Sequence, residues 1–161
     1  VREEISEEAL CGSLPAEINP ATYYTPSFIV KTFIRDGYKI DLGDRILEVL
    51  STPGHTPDAI SLLDLDLGLL WVGDIYYEGP IWVFVPETDL DVFYNSVKRL
   101  CNMVPHLTTL HPAHNSPIAQ PQSLYALKKA LINVQNGTIS GKVISGGRLE
   151  YIFQEFSLII K

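Results

Sequence analysis

Residues 45–57 read RILEVLSTPGHTP. The first six are apolar and β-branched enough to form a half-buried strand, and the run stops at Pro53-Gly54. Proline fixes its own φ and has no N–H to give a ladder, so the chain must turn there and present His55 at a strand end. Just upstream, GYKIDL (37–42) leads through a Gly43-Asp44 turn into the run, which predicts that the two pair as a hairpin. Downstream, AISLLDL (59–65) and LLWVG (69–73) are joined across Asp66-Leu67-Gly68 and predict a second hairpin. FIVKTFI (28–34) reads as a further short strand.

Beyond residue 88 the period changes. Leu90, Phe93, Tyr94, Val97, Leu100, Cys101 and Val104 recur at three and four residues, as one face of a helix requires, and Thr88 with Asp91 has the form of a capping box. LTTL (107–110) reads as a strand leading into the turn HPAHNSP. Leu124, Leu127, Leu131 and Val134 mark a second amphipathic helix that stops at Asn136-Gly137. LEYIF and FSLII close the chain as two more strands. At the other end, residues 2–10 are good helix formers, and Pro15, Pro20 and Pro26 keep the stretch 14–27 from forming one regular element. No repeat, low-complexity segment or interdomain linker is visible.

The 161 residues are 46% apolar and suffice for one domain with a sizeable core. That composition excludes disorder, and no stretch approaches the ~18 uncharged apolar residues that span a bilayer. With 12 Lys+Arg against 19 Asp+Glu, a net charge of −7 and no basic cluster, the chain lacks the footprint of a nucleic-acid binder, so a small-molecule partner is expected. Cys11 and Cys101 form no CxxC pair, which points away from a disulfide scaffold or thiolate zinc site and toward a reducing cytosol. An opening Val1 in place of methionine is expected of a segment cut from a longer chain.

His55 has counterparts. Asp74 ends the apolar run LLWVG, and His114 follows LTTL on a proline turn. Three strand ends thus carry His, Asp and His, residue types that ligate borderline-hard divalent metals such as zinc or iron. Each alone has a plainer reading: a loop histidine is ordinarily a surface or hydrogen-bonded residue, and an aspartate after a strand ordinarily caps a turn. It is the conjunction that makes them candidates. His106, beside Pro105, reads as a residue near a helix C-terminus, whereas His111 is open between a ligand, a partner of a ligand and a strand cap. The segment 75–84, IYYEGPIWVF, reads either as the wall of an apolar substrate pocket or as a core or lid strand.

Thr52-Pro53-Gly54-His55-Thr56, Gly73-Asp74 and Pro112-Ala113-His114, in that order, resemble the metallo-β-lactamase superfamily of metal-dependent hydrolases, which includes glyoxalase II and many thioester and ester hydrolases. Pro-Ala-His departs mildly from that family's usual Pro-Gly-His. The resemblance, over positions 36–135, implies an α+β fold of the αββα sandwich type and two divalent metal ions, zinc first, with iron or manganese as alternatives. It makes His55 a ligand of the first ion, Asp74 the bridging carboxylate and His114 a ligand of the second. The implied chemistry is hydrolysis of thioester, ester or lactam bonds by a metal-bound hydroxide.

The family's His-x-His-x-Asp-His motif, which supplies most other ligands and the water-orienting aspartate, does not occur in the chain. Residues 1–161 are therefore expected to be a single partial domain: the C-terminal half, a mixed sheet with covering helices. Such a half is expected to be inactive alone, without catalytic residues of its own, and prone to self-association. The reading from a different class is a non-catalytic binding or scaffold module that keeps the fold without a complete metal site.

Overall fold

The computed structural model describes residues 16–19 and 29–161. The helix expected over residues 2–10 lies outside the described residues, as do Cys11 and most of the stretch 14–27. The chain divides into two units, Val1–Phe33 and Ile34–Lys161, and every element below belongs to the second. The strands are β1 (Lys39–Asp41), β2 (Ile46–Ser51), β3 (Ile60–Asp64), β4 (Leu69–Gly73), β5 (Gly79–Val83), β6 (Thr109–Pro112), β7 (Lys142–Val143), β8 (Leu149–Ile152) and β9 (Phe156–Ile160). The helices are α1 (Leu90–Cys101) and α2 (Ser123–Gln135).

The mixed α+β class expected from the sequence is found, but the strands divide between two sheets where a single one was expected. The first sheet runs β1-β2-β3-β4-β6. Its first four strands are antiparallel neighbours, with Ile40 opposite Leu47, Val49 opposite Leu62 and Leu63 opposite Leu70, so both predicted hairpins form. β6 then pairs parallel to β4, Leu70 opposite Leu110. A parallel neighbour needs a long crossover, and β5 and α1 lie within it. The second sheet runs β5-β9-β8-β7, with β5 parallel to β9. FIVKTFI is corrected: residues 29–34 form no strand, and Ile29 and Phe33 are each 86% exposed, their apolar pattern finding no sheet neighbour.

Alternation decides which side of β4 is covered. Leu70 and Val72 are fully buried, while Leu69, Trp71 and Gly73 are half-buried. The three-and-four spacing of α1 buries Phe93, Val97, Leu100 and Cys101, and α2 buries Leu124, Leu127, Ala130 and Leu131. The two helices pack on each other, and the Cys101 thiol donates to the Leu124 carbonyl at 3.3 Å. One continuous core joins them to Leu70, Val72, Ile81, Leu110 and Leu158, so both sheets are tied to the same apolar cluster. The cap of α1 is Asp89, whose Oδ1 accepts from the N–H groups of Asp91 and Val92 at 3.0 Å each. Thr88, one residue too early to reach them, turns its hydroxyl elsewhere.

Candidate metal centre

The turn after β2 is built by α1 and its lead-in. The Arg99 guanidinium donates to the Ser51 carbonyl at 3.0 Å, the Ser96 hydroxyl to Pro53 at 2.6 Å, the Asp89 N–H to Gly54 at 2.9 Å and the Thr88 hydroxyl to His55 at 3.1 Å. Four carbonyls in five residues are thereby held by groups 33 to 48 positions away. Arg99 also grips Asp36 with two nitrogens, at 2.6 and 3.0 Å, and the Ser51 N–H donates to the same carboxylate at 2.7 Å. These donors, Arg99 first, hold the Asp36 carboxyl below its ordinary pKa of 3.8. Gly54, at φ 129°, is in a conformation that L side chains rarely adopt.

The loop delivers His55 to the β5 side of the second sheet. Its Nδ1 lies 2.9 Å from the Trp82 carbonyl. A carbonyl only accepts, so Nδ1 carries the proton and Nε2 of the neutral ring keeps its lone pair for another partner. β5 is an edge strand, and the Trp82 N–H meets the Tyr77 hydroxyl at 3.3 Å. Tyr77, 6% exposed, in turn sets its ring edge-to-face with His114, the centroids 5.1 Å apart. A chain of contacts thus runs from His55 through Trp82 and Tyr77 to His114.

Asp74 and His114 meet because β4 and β6 are parallel and end side by side. Gly73 stands opposite Pro112, and the Ala113 N–H donates to the Gly73 carbonyl at 3.2 Å. The next segment is clamped as Asn115, at φ 64°, donates to the Glu78 carbonyl and the Ser116 hydroxyl donates to the Glu78 carboxylate. His114 Nε2 then lies 2.9 Å from Asp74 Oδ1. At 2.9 Å the two atoms make a direct ion pair, a little closer than the roughly 3.4 Å that separates two tetrahedral ligands about 2.1 Å from one ion, so they converge nearly as a shared metal would require.

The donor types therefore fit a divalent metal, but their number does not complete a site. Among the described residues, no group of three or more His, Cys, Asp or Glu side chains could hold an ion. The structure brings Asp74 and His114 together and does not bring His55 into one cluster with them.

The other histidines resolve differently. Trp71 lies opposite His111 in the β4–β6 register, and their rings stack with centroids 5.0 Å apart at 19°. His111 Nδ1–H donates to the Pro117 carbonyl at 3.2 Å, so the ring is engaged on both its face and its edge. His106 is exposed at the end of the 3₁₀ turn Val104–His106. The segment 75–84 supplies a core strand: Ile75, Tyr76, Tyr77, Ile81 and Val83 are buried, while Trp82 faces outward. A cavity of about 530 Å³ lies elsewhere, lined by Ser123, Ala126, Ala130, Phe153, Glu155 and Phe156. Thr88, Ser96, Arg99 and Tyr77 were not legible as positioning residues. Their partners lie far away in sequence, and only the near-miss cap at Thr88 hinted that this residue had another task.

The sequence profile of the Metallo-beta-lactamase superfamily matches residues 2–139. The chain therefore belongs to the metallo-β-lactamase superfamily. It is 35% identical over 71 residues to the acyl-coenzyme A thioesterase MBLAC2 of Homo sapiens, a match covering 44% of this chain and 25% of that protein. ETHE1 from Myxococcus xanthus superposes with a TM-score of 0.53 at 24% identity, over 61% of this chain and 44% of that one, and so shares the fold. TTHA1623, solved in a di-iron-bound form, superposes with a TM-score of 0.51 at 26% identity, over 63% and 48%. The chain thus spans about a quarter of the curated relative's length and less than half of each of these two structures.

Proposed function

We propose that this chain carries the C-terminal part of the active site of a metal-dependent hydrolase acting on acyl thioesters, with other esters and lactams as related substrates. The observation that carries the reading is the 2.9 Å approach of His114 Nε2 to Asp74 Oδ1 at the ends of two parallel strands, where α/β folds commonly bind ligands. His55, its Nδ1–H spent on Trp82, offers Nε2 as a further ligand. The di-iron form of TTHA1623 supports a pair of divalent ions, here zinc first with iron or manganese as alternatives, and the similarity to MBLAC2 supports the thioester class. Bound metal would supply a water of pKa near 7 and polarise the scissile carbonyl.

The chain's own residues do the positioning. The main-chain carbonyl of Trp82 fixes which nitrogen of His55 is protonated, Tyr77 sets the His114 ring, and the Glu78 clamp holds the loop on which that ring stands. The partner is a small molecule, in a reducing cytosol. Among the described residues no helix is long and apolar enough to cross a membrane, and Cys101 is a buried free thiol. Isolated from a covering half, the chain is expected to self-associate.

A second reading, a module that keeps the fold without catalysis, is favoured by the absence of a three-donor group among the described residues. Zinc calorimetry on the purified chain, on His55→Ala and on His114→Ala decides between them. The hydrolase reading expects weak zinc uptake, as two converging donors allow, that falls further in His114→Ala than in His55→Ala, and no turnover of acyl thioesters by the chain alone. Uptake that is absent, or indifferent to both substitutions, leaves the scaffold reading standing.

A further inference from the structure

The outward face of β5 carries a feature that the metal site does not use. Ile81 and Val83 point into the core, so Trp82 and Phe84 share the opposite face. Trp82 is 40% exposed, and the two rings lie 5.3 Å apart at a tilt of 38°. Arg148, arriving from the turn before β8, lays its guanidinium 3.9 Å above the centre of the Phe84 ring. A guanidinium stacked this way is held by its face, and its in-plane N–H groups remain available for a bidentate anion. Arg148 also forms no ion pair among the described residues, unlike Arg45, which meets Asp64, and Arg99, which meets Asp36. In a chain of net charge −7, this is a cation with no ion-pair partner among the described residues, held over a ring beside an exposed aromatic surface.

The surface begins at the residue that touches His55, since the Trp82 carbonyl accepts the His55 Nδ1–H. Phe84 lies two residues further along, about 7 Å at strand spacing. A substrate reacting near His55 would therefore lay the first part of its tail over Trp82 and Phe84 and bring a more distant group to Arg148.

Resting on the thioester reading above, we infer that Trp82, Phe84 and Arg148 recognise the thiol half of an anionic acyl thioester. The apolar stem lies on the two rings, and a phosphate or carboxylate of the tail meets the Arg148 guanidinium. Aromatic rings favour an apolar or planar segment without selecting its charge, and the guanidinium adds the preference for an anion through charge-assisted hydrogen bonds.

The test is calorimetric titration of the 161-residue chain with three thiols: coenzyme A, whose anions are phosphates; glutathione, whose anions are carboxylates; and neutral N-acetylcysteamine. The expected result is saturable binding of at least one anionic thiol, and which of the two binds identifies the anion. Arg148→Gln should weaken that binding by about tenfold or more, the usual worth of a charge-assisted bond, and leave N-acetylcysteamine unaffected. Trp82→Leu should weaken whichever thiols bind, and thermal melts of both variants should match the parent because both side chains reach solvent. The inference is overturned if neither anionic thiol binds, if N-acetylcysteamine binds as tightly as they do, or if Arg148→Gln leaves affinity unchanged. Arg148-dependent binding by a chain that takes up no metal would sink the hydrolase reading alone. Zinc uptake that depends on His114, together with binding of coenzyme A or glutathione that is indifferent to Arg148→Gln, would sink the recognition surface alone.

Discussion

Gly54 lies against the backbone of Phe93: a β-carbon at residue 54 would stand 2.3 Å from both the amide nitrogen and the α-carbon of Phe93. Neither atom is the free end of a side chain, so helix α1 or the His55 turn would have to move. Gly54 is also held at φ 129°, so alanine there is strained even without the contact. Gly54→Ala is expected to destabilise the fold by more than about 3 kcal/mol, in the range of a backbone clash in a packed core. Denaturant unfolding measures it, and a loss under about 1 kcal/mol would show that the turn and helix separate easily.

His114 and His111 are expected to fail in different ways. His114→Ala removes the partner of Asp74 from an exposed site, so it should reduce metal uptake with little effect on melting. His111→Ala removes a stacked ring and a hydrogen bond to Pro117, so it should cost about 1–2 kcal/mol of stability and leave metal uptake near normal. Zinc calorimetry beside thermal melts separates them. The reverse pattern would make His111 the ligand.

Asp36 gives the acid limb of stability a definite sign. Arg99 and the Ser51 N–H depress its pKa in the folded chain below 3.8. The native state therefore sheds that proton more readily than the unfolded one. The contribution is present above pH 3.8 and is lost as pH falls through the lower folded value. Asp36→Asn should flatten this part of the stability profile and loosen Arg99 from Ser51. Equal acid sensitivity in the variant and the parent would show that the pair contributes nothing.

Tyr76 behaves oppositely at high pH. Burial pushes its phenol up to about 12 from 10.0, and the neighbouring Glu155 carboxylate opposes ionisation as well. The hydroxyl remains a donor to Glu155 at 3.1 Å. A raised folded pKa means stability that is complete below pH 10 and lost as pH rises toward 12. Tyr76→Phe should remove this tyrosine's share of the alkaline loss, at the cost of the Glu155 bond. Ultraviolet titration of the parent should show one phenol fewer ionising near pH 10 than in the unfolded chain. A full complement near pH 10 would contradict the buried assignment.

Much of the fold was legible because it is local. Runs such as Arg45–Leu50 and Leu69–Gly73 alternate and end at turn residues, and the two hairpins they predict need only neighbours in sequence to pair. The helix face at Phe93, Val97 and Leu100 is equally local, since 3.6 residues per turn writes itself into spacing. The failures share a cause. FIVKTFI has a strand's composition, but composition cannot supply a neighbouring strand. The segment 75–84 could be read as a core strand, but its pairing with β9 joins segments more than seventy residues apart and leaves no mark in either stretch. Asp89 displaced Thr88 as the cap because the helix begins one residue beyond the aspartate.

The sequence alone determined the chemical types at the three strand ends, His55, Asp74 and His114, because Pro-Gly, Gly-Asp and Pro-Ala-His are written in the chain. Only the tertiary structure decided which of them meet. The parallel pairing of β4 and β6 sets His114 against Asp74, while the carbonyl of Trp82 claims one nitrogen of His55 and leaves the other. Parallel register and free sheet edges are settled by packing between distant segments, and no local pattern of residues encodes that choice.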